Sequence, residues 1–100
     1  MSDFESQVEA EQSALTDLIG KDVVLDTRGP ILYVGRLALV DGVFYRLEEA
    51  DVHDIVEGRA SKEIYLIDAR KNGVKKNRKS VFVRHSEVVS ISLLEDVVAY

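Results

Sequence analysis

Val81-Phe82-Val83-Arg84-His85-Ser86-Glu87-Val88-Val89-Ser90-Ile91-Ser92 organises the reading of this chain. Two short β-rich runs flank the polar step Arg84-His85-Ser86-Glu87, which is too short for anything but a tight reversal or a sharp bend between strands. Runs this apolar need burial. A chain of 100 residues has room for one core, so the remaining segments are read by how they wrap around this pair.

Upstream, Asp22 to Asp26 reads as a first strand, and Thr27-Arg28-Gly29-Pro30 as the turn after it. Ile31 to Val40 is a long second strand, apolar on both faces: Ile31, Tyr33, Leu37 and Leu39 on one, Leu32, Val34, Ala38 and Val40 on the other. Burial on both sides follows from that pattern. Gly35, in its middle, stands where a strongly bent strand places a residue without a side chain. Asp41-Gly42 is a tight-hairpin signal, and a third strand then runs from Val43 to His53. Its far end, rich in Glu48, Glu49, Asp51 and Asp54, is expected to be solvated. The N-terminal segment places Phe4, Val8, Leu15, Leu18 and Ile19 at helical spacing, firm over 13–19 and frayed before it, with Ser13 as cap and Gly20 as stop.

Residues 55–60 read as a loop. Ser61 to Val74 admits two readings, of which the helix has the fuller set of end signals: Ser61 as N-cap, Glu63 early, Arg70 and Lys71 late, Gly73 just past the end. The strand alternative has only Ile64 to Ile67. Lys75 to Ser80 then connects into the opening stretch, and Glu95 to Tyr100 either extends the last strand or docks on a neighbour.

The net charge is −5 but unevenly spread. Arg70, Lys71, Lys75, Lys76, Arg78, Lys79 and Arg84 form a run with no acidic residue, leaving six basic against eighteen acidic residues elsewhere. Such an island is either a solvated loop offsetting acidic neighbours or a phosphate-contacting segment. Without Cys there are no disulfides, which fits a reducing compartment. The acidic N-terminus argues against a secretory signal, and no apolar run reaches the roughly 18 residues that span a bilayer; a cytoplasmic location without membrane contact is expected. Asp51 and His53 share a strand face but lack a third metal ligand. Adjacent His85 and Ser86 point apart, and no Gly-x-Ser-x-Gly turn surrounds the serine, so catalysis and a cofactor are not expected.

An N-terminal helix followed by five strands, with a long bent second strand, resembles the Sm-like (LSm and Hfq) family. Leu18-Ile19-Gly20-Lys21-Asp22-Val23-Val24-Leu25 is similar to the family's helix end and first strand. Gly35-Arg36-Leu37 with Val40-Asp41 resembles the Gly-x-Leu and hydrophobic-Asp parts of the first Sm motif, and Val81-Phe82-Val83-Arg84 with Val88-Val89-Ser90-Ile91 resembles the second. The likeness covers residues 15–50 and 81–93. The fold it implies is mainly β: an N-terminal helix plus a five-stranded, strongly bent antiparallel sheet closing a small barrel. The chain is then one domain, 1–100, in which residues 51–80 enlarge the connection between third and fourth strands and carry the helix at 61–72.

In the family the fourth strand pairs with the fifth strand of the next subunit, which closes a ring. Open apolar edges are an aggregation hazard unless a closed assembly pairs them, so a cyclic homo-oligomer is expected. The family's RNA pocket uses an Asp, an Asn four residues later, a flat side chain between them, and an Arg-Gly. Asp41 and Arg84 match; Tyr45 stands at the Asn position, Val43 at the stacking position and His85 at the Gly. Arg84-His85 resembles instead the Lys-His pair with which Hfq contacts RNA at its inner rim. The resemblance thus implies RNA contact through Asp41, Tyr45, Arg84 and His85, with Tyr45 as a stacking face and Lys71, Lys75, Lys76, Arg78 and Lys79 on phosphates. The alternative is a protein-interaction or structural ring that kept the fold and lost the pocket.

Overall fold

The computed structural model describes residues 13–58 and 60–98. Its strands are β1 (Asp22–Thr27), β2 (Ile31–Val40), β3 (Phe44–Asp54), β4 (Arg78–Arg84) and β5 (Val88–Leu93); its helices are α1, described over residues 13–16, α2 (Ile55–Gly58) and α3 (Lys62–Asn72). The strands form one antiparallel sheet in the order β4-β3-β2-β1-β5. Because β4 and β5 lie at opposite ends of that order, each leaves one edge without a strand partner among the described residues.

The bend in the sheet is made at Gly35. The register between β2 and β3 shifts between Val34 and Arg36, and a Cβ on Gly35 would lie 2.9 Å from both Cα and Cβ of Ala50. Only a residue without a side chain lets the two backbones approach so closely. Two apolar clusters lie on opposite faces of the sheet. One, built on Val23, Leu25, Leu37, Tyr45, Leu47 and Val83, is closed by Leu15 and Leu18 from the N-terminal segment. The other, Val24, Leu32 and Val34, is closed by Ala69, Tyr65 and Leu66 of α3 and by Leu94 and Val97. Leu25, Leu32, Leu37 and Leu47 are fully buried, each worth about 1.5–3 kcal/mol against exposure.

A second register shift, between Leu37 and Leu39, corrects the expected alternation of β2. Leu37 and Val40 face the core, whereas Leu39 turns outward and is 43% exposed. The extra residue at the bulge is what reverses the faces. The first helix also ends earlier than expected. It is helical through residue 16, and 17–20 form a turn in which Leu18 N–H and Ile19 N–H reach only to Leu15 and Thr16 carbonyls. Gly20, at φ 92°, gives its N–H to the Leu37 carbonyl and leads into β1. The Ser13 carbonyl accepts from Asp17 N–H; the residues before Ser13, Phe4 and Val8 among them, lie outside the described residues.

Helix α3 has the ends its sequence signals. Ser61 Oγ accepts from Ile64 N–H at 3.2 Å, and Gly73 N–H donates to the Ala69 carbonyl at φ 89°. Its approach to the sheet is fixed by polar contacts. Lys62 Nζ donates to Asp26 Oδ1 and to the Thr27 and Gly29 carbonyls; Tyr65 OH donates to Asp51 Oδ2, with the His53 ring stacked on Tyr65 at 3.9 Å. Asn77 Nδ2 takes Asp51 Oδ1 (2.9 Å), and Asn77 extends the ladder beyond the start of β4 by pairing its amide with both Val52 N–H and Val52 carbonyl. The far end of β3, expected to be solvated, is therefore covered: Asp51 is only 8% exposed. Its charge is tolerated because two donors satisfy it.

Where a loop was expected, Ile55–Gly58 forms a single helical turn opened by Asp54, whose Oδ1 accepts from Val56 N–H. The connection between β3 and β4 occupies residues 55–77. The described residues after β5 do not extend it: a 3-10 turn, Leu94–Asp96, buries Leu94 beneath α3, and Arg70 Nε donates to the Glu95 carbonyl. Among the described residues no helix is long and apolar enough to cross a membrane.

Candidate nucleic-acid interface

The turn joining β2 to β3 and the reversal joining β4 to β5 meet at one end of the sheet. Asp41 Oδ1 accepts from Val43 N–H (2.8 Å) and Phe44 N–H (2.7 Å), so the carboxylate orders the turn. Those two donors, Phe44 first and Val43 second, hold its pKa below the usual carboxylate value, with His85 adding a smaller electrostatic pull. Register places Phe44 opposite Arg84 and Tyr45 opposite Val83. One pair further on, His85 N–H donates to the Val43 carbonyl at 2.8 Å, which ties the reversal to the turn.

His85 opens a 3-10 turn, His85–Glu87, that carries the chain into β5. Its imidazole lies on the Tyr45 ring at 4.1 Å and 29° between planes. Tyr45 is thereby 7% exposed, and burial pushes its phenol pKa upward. The His85 Nε2 atom is shielded from solvent without a hydrogen-bond partner. Gly42, Val43, Arg84, His85 and Ser86 line a concavity of about 250 Å3 beside this stack. Four of the residues singled out from sequence, Asp41, Tyr45, Arg84 and His85, are thus brought together, with Asp41 turned to its own backbone and Tyr45 covered by His85.

The other basic residues are not part of this cluster. Lys71 ends α3, Lys75 and Lys76 lie in the connector, and Arg78 and Lys79 begin β4. Arg84 ends β4, six residues and about 20 Å of extended chain from Arg78. Several of these cations have partners: Lys76 pairs with Glu49, whose carboxyl it holds below the usual range, Lys75 approaches Asp68 at 4.0 Å, and Arg78 Nη1 donates to the Asn77 carbonyl. Lys71, Lys79 and Arg84 make no ion pair among the described residues.

Sequence reasoning passed over the outer face of β3 and β4. Phe44 and Phe82 meet edge to face at 5.9 Å; the Arg84 guanidinium lies 5.5 Å from the Phe44 centroid, and that of Arg46 5.7 Å from Phe82. The available signal was the alternation of aromatic and arginine at every second residue, Phe44 and Arg46 on one strand, Phe82 and Arg84 on the next. Asp51 and His53 are engaged with Asn77 and Tyr65, and no group of three metal-ligating side chains occurs among the described residues. A larger concavity, about 390 Å3, lies elsewhere, between Lys21, Asp22, Arg70, Leu94 and Glu95. Its mixed charges give no preference for an anion.

No family model matches the chain, and no curated protein does. Among solved structures it is similar to an Sm protein from Pyrococcus abyssii in complex with a uridine heptamer, at 19% identity and a TM-score of 0.57, over 82% of this chain and 94% of that one. The chain therefore has the Sm-like fold.

Proposed function

We propose that this chain is a nucleic-acid-binding module that works as a closed homo-oligomeric ring. The observation that carries the reading is the anchored reversal: His85 N–H on the Val43 carbonyl holds Arg84, a cation without an ion pair among the described residues, at the rim of one concavity. A guanidinium held at such a rim is what a phosphate or a base edge would engage. Lys71 and Lys79, with Lys75, Lys76 and Arg78, supply a second line of positive charge on the way into β4. The free edges of β4 and β5 support the assembly, since cyclic strand pairing satisfies both at once. The Sm protein it resembles was solved with a uridine heptamer, which makes oligo(U) the first ligand to try. The role is binding without chemistry.

A second reading, a protein-interaction ring without an RNA pocket, is favoured by one observation: His85 stacked on Tyr45 fills the space a base would enter. Fluorescence-anisotropy titrations with oligo(U), oligo(A) and mixed RNA at about 50 and 200 mM salt separate the two. RNA contact gives a log K that falls with log salt by about 0.7 per neutralised phosphate. No binding at the lower salt favours the second reading, and binding that survives both Arg84→Ala and His85→Ala moves the contact to residues 71–79. Light scattering tests the ring: a monomer of 11.2 kDa at micromolar concentration removes it.

A further inference from the structure

We infer that the outer face of β3 and β4 is a stacking surface for single-stranded nucleic acid, adjoining the loop concavity and sharing Arg84 with it. Helix α3 and the residues after β5 cover the outer face only over β1 and the first half of β2, where Val24, Leu32 and Val34 are buried beneath them. Past the bend at Gly35 no element among the described residues covers the same face. It presents Leu39, Arg46 and Phe82 in one cross-strand row and Phe44 with Arg84 in the next. Phe82 is 58% and Leu39 43% exposed. Such exposure of a large aromatic ring on a regular strand contributes little to folding.

The chemistry of the patch selects its occupant. Arg46 and Arg84 lie within cation–π distance of the two rings, and the strand alternation that directs Phe82 and Arg84 outward directs Ser80 and Arg78 outward as well. In the adjoining row Glu48 is bracketed by Arg36 at 2.7 Å and Arg46 at 3.5 Å, and Asp22 stands in register with Arg36 at the β1 end. On a chain of net charge −5, a surface combining exposed rings with excess arginine suits a ligand that has both π-faces and phosphates. An apolar partner would leave the guanidinium groups desolvated and unpaired. The rings give sequence-tolerant stacking, and the arginines follow the backbone.

This inference rests on the nucleic-acid reading proposed above, and the experiment keeps their failures apart. The probe is a short oligo(A) carrying one 2-aminopurine, titrated with the full chain by anisotropy and fluorescence intensity. Phe82→Ala is expected to weaken binding roughly 5- to 100-fold and to relieve the quenching caused by stacking, Phe82→Tyr to restore both, and Arg46→Gln to lower the salt slope by about 0.7. Wild-type affinity and quenching in Phe82→Ala would overturn the stacking surface and leave the proposed function standing. Absence of binding by the wild-type chain overturns both. A Phe82→Ala chain whose light-scattering mass differs from wild type shows a contact between copies on this face, and that also overturns the inference.

Discussion

Replacing Tyr65 by Phe isolates the contact that fixes α3 on the sheet. The substitution keeps the ring that stacks on His53 and deletes only the hydroxyl that donates to Asp51. A hydrogen bond to a charged group contributes about 1.5–3 kcal/mol. Tyr65 is half-buried, and solvent screening brings the expected loss to the lower end, about 1.5 kcal/mol; Asn77 still satisfies the other Asp51 oxygen. Burial first, then the bond to Asp51, raises the phenol pKa far above its ordinary value. The sign follows: a raised folded value means that Tyr65 contributes fully below the unfolded pKa of about 10, and that its contribution falls as pH rises above it. The gap between wild type and Tyr65→Phe, measured by urea unfolding, is therefore flat from about pH 6 to 9 and narrows by up to about 1.4 kcal/mol per unit above 10. A variant as stable as wild type at neutral pH, or a gap that stays constant through about pH 11, refutes the assignment.

Gly35→Ala puts a Cβ against the Ala50 backbone; a loss of about 1–3 kcal/mol is expected, and a urea midpoint equal to wild type removes the close approach as the reason for the glycine. Asp41→Ala frees the Val43 and Phe44 amides, whose hydrogen exchange should accelerate while exchange in β1 does not. Because the Asp41 pKa is depressed, its contribution is present above about pH 4 and lost as pH falls through the folded value, so wild type should lose more stability than Asp41→Ala between about pH 5 and 2; parallel acid limbs contradict this. His85→Gly uncovers the Tyr45 ring, and acrylamide should then quench tyrosine fluorescence more strongly than in wild type. Unchanged quenching shows that His85 does not shield it.

Much of the sheet was legible because local signals agree with tertiary need. Gly35 sits inside a strand where nothing local requires it, and the reason is the backbone of Ala50. Ser61 and Gly73 bound α3 in the sequence as they do in space. Two features were illegible for definite reasons. The acidic end of β3 reads as solvated because the partners that satisfy Asp51 lie far downstream: Tyr65, 14 residues on, on a helix whose docking face no periodicity announces, and Asn77, 26 residues on, in the connector before β4. Leu39 reads as core because strict alternation assigns it the face of Leu37, and the bulge that reverses the faces leaves no trace in residue type.

The candidate site failed in the opposite way. Seven basic residues close in sequence suggested one surface, but an extended strand advances about 3.3 Å per residue, so β4 draws its two ends some 20 Å apart. Tyr45 and His85, 40 positions apart, are in contact instead. Their meeting depends on the register that sets Tyr45 opposite Val83, and that register is set after an intervening connection of residues 55–77 has been folded away. Two of the three departures from the Sm-like pattern, Tyr for Asn and His for Gly, are then not independent. An imidazole at the reversal needs a flat surface beneath it, and a tyrosine at that strand position needs a cover for its ring. Each supplies what the other requires, so the pair reads as one structural change, and what it did to ligand choice has to be judged from the pair together.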